Sequence, residues 1–238
     1  MKKSILIIAV LLVTSLSFGQ KKVKGNGNVT TITRSTSDYD GVKCAGSFDY
    51  VLVAGEEGNI KIEGEENLLE YIVTEVKDGS LIVKVENHMN LQSSRNNTIK
   101  VTIPFKDISN VSLAGSGDLW NEDIITTNDM KVALAGSGDL TLKIEASHTK
   151  ASIAGSGDLT LKGSTNSLDA NVAGSGDFHG FDLQANNTDV SVSGSGDAKV
   201  VCRENLKARV AGSGGIEYKG NPKTEDTKVA GSGSIESR

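Results

Sequence analysis

From about residue 110 onward, apolar and polar residues alternate with a period of two, and the tripeptide Gly-Ser-Gly interrupts the alternation at regular intervals. Its first glycine falls at Gly115, Gly136, Gly155, Gly174, Gly194, Gly212 and Gly231, with spacings of 21, 19, 19, 20, 18 and 19 residues. Two positions earlier stand Leu113, Leu134, Ile153, Val172, Val192, Val210 and Val229, every one aliphatic. Four positions after the glycine come Leu119, Leu140, Leu159, Phe178, Ala198, Ile216 and Ile235, while positions between, such as Lys131, Thr141, Thr160 and Lys199, are polar. A period of two predicts strands with one buried face. Each repeat therefore reads as strand, tight corner, strand and return.

One such coil buries too few aliphatic side chains to offset the entropy of ordering its backbone, so it must stack on others. Stacking coils about 4.8 Å apart pairs each backbone with the next and closes a continuous core. A propeller blade needs about twice this period, and hexapeptide helices repeat every six residues. The predicted fold is all-β, a single-stranded parallel β-helix with coils of about 19 residues cornered by GSGD. In it the corner glycines Gly115, Gly136, Gly155, Gly174, Gly194, Gly212 and Gly231 are structural: both glycines of each tripeptide permit φ > 0, and the serines stack into a hydroxyl ladder.

Upstream the pattern is looser. The stretch VKCAGSFDYVLV at 42–53 aligns with VSLAGSGDL as an entry coil, placing Cys44 at the buried position of Leu113. NLLEY reads as a short helical turn, and YIVTEV and SLIVKV as strands about the tight turn Asp78-Gly79. TIKVTIPF leads into the array. The expected organisation is a signal peptide at 1–19, a short exposed lead at 20–37, and a β-helix domain at 38–238, with irregular entry coils at 38–110 and the GSG array at 111–238.

The signal peptide rests on Lys2 and Lys3, the apolar run Ile5 to Leu16, and small residues at Ser17 and Gly19. That run is too short to span a bilayer, so no transmembrane segment is expected after cleavage. No cysteine stands at the junction to carry a lipid anchor. Loss of Lys2 and Lys3 takes the formal charge of −5 two units further negative, which argues against nucleic acid and anionic membrane as partners. Export permits disulfides, but Cys44 and Cys202 fall on core positions several coils apart, so two buried free thiols are expected. The expected location is periplasm, cell surface or medium.

Five aspartates follow the corner: Asp118, Asp139, Asp158, Asp177 and Asp197. Stacked about 5 Å apart, neighbours repel by about 1 kcal/mol in water and about 3 at an effective dielectric of 20. Two readings stand. Each carboxylate accepts hydrogen bonds from amides of its own glycine turn, or the column binds a cation or ligand along one edge. One carboxylate per coil is thin for calcium, and the column ends at Gly215 and Ser234, which favours the first reading. Calcium is the only cofactor for which the column is a candidate, and otherwise none is expected.

His88, His148 and His179 read as isolated, and no catalytic or phosphate-binding motif is present. Trp120 and His179 share the outward position after the buried residue. A tryptophan there either packs on the edge or stacks on a sugar.

The segments GSFDYVLV, EVKDGSLIVKV and KVTIPFKDISNVSLAGSGDL, with the serial AGSGDL corners, resemble the head GIN domain family of putative auto-transporter adhesins, frequent in exported Bacteroidetes proteins. The resemblance covers nearly all of the chain after residue 19. It implies a right-handed single-stranded β-helix related in shape to pectin lyases and a role in adhesion, and it supplies no catalytic residues. Sequence and resemblance together lead to a non-enzymatic surface adhesion or interaction module. A purely structural envelope protein is the alternative, and a polysaccharide-active, lyase-like enzyme the third reading. The expected partner is a surface glycan or protein, with self-association into a homo-oligomer left open.

Overall fold

The computed structural model describes residues 20–94 and 97–238, so the proposed signal peptide lies outside the described residues. The chain winds as a β-solenoid whose coils superimpose residue on residue. One stack of parallel strands runs from Ser80–Val85 through Gly41–Gly46 and Asn110–Gly115, then through the ends of Ile125–Gly136, Leu140–Gly155, Leu159–Gly174, Leu183–Gly194, Asn205–Gly212 and Thr224–Gly231. A second stack, after the corner, runs from Lys100–Phe105 through Asp49–Ala54 and Leu119–Asn121 to Ser234–Ser237. The return segments pair as a third stack, interrupted at the bend that carries Asn128, Ser147, Asn166 and Asn186.

The apolar rows stack as their spacing requires. Leu113 pairs with Leu134, Leu134 with Ile153 and Ile153 with Val172, and all four are buried. Leu113 also pairs with Cys44, which places the entry coil in the predicted register. Cys44 and Cys202 are both buried and free. The first array coil has a 21-residue spacing, and there a side chain completes the ladder: Asn121 Nδ2 donates to Lys143 O and the Lys143 amide donates to Asn121 Oδ1, each at 2.8 Å. In the last coil the inward positions under Leu206 and Ala208 become Glu225 and Thr227, and the whole strand Thr224–Gly231 is exposed.

The entry region is built differently. Ile72–Lys77 and Ser80–Val85 form an antiparallel hairpin whose turn has Asp78 at φ 49 and Gly79 at φ 69, the left-handed pair of a two-residue hairpin. A one-turn helix occupies Glu66–Leu69. Residues 20–37 contribute two mostly exposed strands, Lys21–Lys24 beside Met89–Gln92 and Val29–Ser35 antiparallel to Asn59–Glu65. Glu65 ties these pieces together. It is buried, and it accepts from the Gly27 amide at 2.6 Å, the Ser94 amide at 2.7 Å and Ser94 Oγ at 2.5 Å.

Candidate functional site

The corner that dominates the sequence is a hydrogen-bonding device between coils. The Ser137 and Gly138 amides both donate to Gly115 O of the preceding coil, and the pair Ser156 and Gly157 repeats this onto Gly136 O. The serines thus bond across coils through their backbone N–H groups. The first glycine has positive φ at every corner, 131° at Gly136. The second glycine does not, contrary to the expectation that both need it. A Cβ on Gly138 would lie 1.9 Å from Gly117 O, so this position is glycine because two backbones meet there.

With the amides of its own turn committed to the coil before, the aspartate cannot bond them as expected. Its Oδ1 accepts instead from the backbone amide one coil on. Asp118 takes the Asp139 amide at 3.1 Å, Asp139 that of Asp158 at 3.2 Å, Asp158 that of Asp177 at 3.0 Å and Asp177 that of Asp197 at 2.8 Å. Asp197 takes the Gly215 amide at 2.6 Å, and there the column ends. Each carboxylate ties its coil to the next and keeps Oδ2 clear of that bond. The attraction to an amide dipole and contact with water offset the repulsion within the column.

His179 is not isolated. Asp177 lies just before the strand Phe178–His179, two positions from His179, with Phe178 turned into the core between them, so both project outward. One coil below, Asp158 Oδ2 stands 3.7 Å from His179 Nε2. Trp120, half-buried, occupies the outward row between Val51 and Thr141. His148 lies on the return side, in register with Asp129 and Ser167.

That return side carries a surface the sequence reading missed. A groove of about 580 Å³ runs along the stacking direction from Asp129 to Asp226. One wall is the outward row Lys131, Lys150, Asp169, Asp189, Lys207 and Asp226, brought into line by the register of six coils. The other is a polar row in which Asn205 Nδ2 donates to Asn187 Oδ1 and Thr224 Oγ1 to Asn205 Oδ1, each at 2.6 Å. Lys207 pairs with Asp189 at 2.6 Å, and Lys150 with Asp169 at 3.8 Å. Such solvent-exposed pairs contribute about 0–1 kcal/mol each. The signal was present in the sequence as charges recurring at the coil spacing, but they change sign along the row and so form no repeat.

The strongly perturbed groups of the entry region serve the fold. Burial pushes the Cys44 thiol and the Tyr50 hydroxyl well up, and Tyr50 donates to Ala45 O. Tyr39 is raised likewise, by burial and then by Glu57 and Asp38. The hydrogen bonds from Ser94, with that from Gly27, hold the Glu65 carboxyl below its usual range.

A family profile described as "Putative auto-transporter adhesin, head GIN domain" matches residues 38–222. No curated protein matches the chain. Several solved structures share the architecture. A putative lipid binding protein from Parabacteroides distasonis ATCC 8503 is 28% identical with a TM-score of 0.76, over 92% of this chain and 100% of its own. A putative adhesin from Bacteroides fragilis NCTC 9343 has a TM-score of 0.81 at 22% identity, over 91% of this chain and 100% of its own. Another from Parabacteroides merdae ATCC 43184 has a TM-score of 0.71 at 22% identity, over 92% and 99%.

Proposed function

The chain belongs to the head GIN domain family of putative auto-transporter adhesins, and from that premise we propose that it is an exported, non-enzymatic binding module whose groove holds an extended polar chain, a surface glycan. The observation that carries this is the groove itself. It is open to solvent, and its two edges carry charges, amides and hydroxyls on either side of a line that includes Met130, Leu168 and Leu206. Six coils at about 4.8 Å each span about 24 Å, long enough to hold several units of a polymer. An elongated site suits a polymer, because weak contacts from successive coils add along the axis.

Acid–base or nucleophilic catalysis calls for a nucleophile and base in contact with a third, orienting group. In the groove, by contrast, Lys150 pairs with Asp169 and Lys207 with Asp189, while Asp226 is held by Arg209. Export is the reading of residues 1–19 together with the adhesin family. The relative named as a putative lipid binding protein raises a second ligand class, which the apolar line of the groove admits and its charged edges disfavour.

The test is a glycan array probed with residues 20–238 beside a K150A/D169A/D189A variant. The expected result is retention of one related class of glycans and its loss in the variant. An array without retention, or retention equal in both proteins, contradicts the proposal. Binding to vesicles that the variant keeps would transfer the reading to a lipid surface elsewhere on the molecule.

A further inference from the structure

We propose that Asp158, Asp177 and His179 form a binding site for a borderline divalent transition-metal ion, for which zinc is the natural probe. One donor atom from each residue lies within 4.8 Å of the donors of the other two. All three face outward at one place on the solenoid, apart from the groove. The site does not depend on the glycan reading.

The geometry follows from the corner. Asp158 Oδ1 and Asp177 Oδ1 are each held by the amide of the next coil, which orients both carboxylates and leaves Oδ2 for another partner. At the outward position after the buried residue, the coils carry Trp120, Thr141, Thr160, His179, Lys199 and Glu217. An imidazole enters the column at one coil alone. There it adds a nitrogen donor to two half-engaged carboxylates.

That donor set discriminates between ions. Calcium takes six to eight oxygens, which two carboxylates and an imidazole do not approach. Imidazole nitrogen with carboxylate oxygen suits zinc, nickel, copper or cobalt, and three protein ligands leave an outward position for water. A tetrahedral set with bonds of about 2.1 Å puts its donors about 3.4 Å apart. Partly exposed side chains reach this by small torsional changes, with the backbone fixed by the ladder. Lys199, next in the outward row, is the nearest opposing charge in register and sets a limit on affinity.

The experiment is calorimetric titration of zinc into tag-free, chelator-stripped residues 20–238, with calcium as a parallel arm. The expected result is one zinc per chain and no saturable calcium binding. H179A, H179Q and D158N each should weaken zinc by at least roughly tenfold, since loss of even an outer-shell partner costs about 10–100-fold. Their melting temperatures in chelator should match the parent, because the carboxamide oxygen in D158N still accepts from the Asp177 amide. No 1:1 zinc binding, zinc affinity unchanged in H179A, or calcium bound as tightly as zinc would each overturn the proposal. If one histidine variant fails to fold, the other and D158N carry the same test.

Discussion

The array and the entry region use the same parallel ladder but hold it together by opposite means. In the array, one corner recurs and every bond it makes is to the coil above or below, so any coil resembles its neighbours. In the entry region single side chains reach far along the chain: Glu65 to Gly27 and Ser94, Glu57 to the Tyr39 and Lys106 amides, Arg34 to the carbonyls of Leu69 and Ile72. Repetition distributes stability over many equivalent contacts, whereas the entry concentrates it in a few unique ones. The array thereby gives one backbone surface repeated along the axis, and the entry closes one end of the stack.

Substitution at the corner glycines strains this contrast most. Gly138→Ala places a methyl 1.9 Å from Gly117 O, between two backbones that cannot yield. A loss of about 3 kcal/mol or more is expected in urea denaturation. Gly27 in the lead has φ +83° but open space around its Cβ position, so Gly27→Ala should cost only about 1–2 kcal/mol of conformational strain. Equal losses at the two sites would show that close approach is not what the corner requires.

Glu65→Gln tests the concentrated half. The amide keeps one acceptor where the carboxylate used two, and a loss of about 2 kcal/mol is expected. Because the folded pKa lies below the unfolded value near 4.5, the carboxylate's contribution is complete above that value and disappears as pH falls through the folded pKa. The gap between parent and variant should therefore narrow below about pH 4.5, as measured by denaturation across pH. A gap constant with pH would show that the charge plays no part.

The smallest effect belongs to the aspartate column. Asp139→Asn keeps an oxygen for the Asp158 amide and relieves repulsion from its neighbours, so the expected change in urea denaturation is about 0.5 kcal/mol or less in either direction.

Period and spacing made the coils, the entry register at Cys44 and the hairpin at Asp78-Gly79 legible, because buried faces and tight turns leave local marks. What the aspartates bond to was not legible. Spacing shows which residues stack, but not that the Ser137 and Gly138 amides are already taken by Gly115 O, leaving Asp158 N–H for Asp139. For the same reason the second glycine was assigned a conformational role when its role is steric. His179 could have been found by arithmetic, since it lies two positions after Asp177, and Asp158 lies one coil before Asp177. Glu65 left no mark, because nothing about it repeats.

That array coils are interchangeable layers is tested most directly by coil deletion. Removing Gly136 to Ala154 takes out 19 residues and joins Ala135 to Gly155, so Gly155 comes to rest on Gly115 and the Asp158 amide on Asp118. Thermal denaturation followed by circular dichroism should show a cooperative transition lowered by no more than about 10 °C. Removing only Gly136 to Ile144 takes out one corner and the strand after it but leaves the return, so what remains is not a whole coil and cannot fall in register with its neighbours, and this should abolish the transition. Loss of the cooperative transition in both proteins, or its survival in both, would contradict the claim.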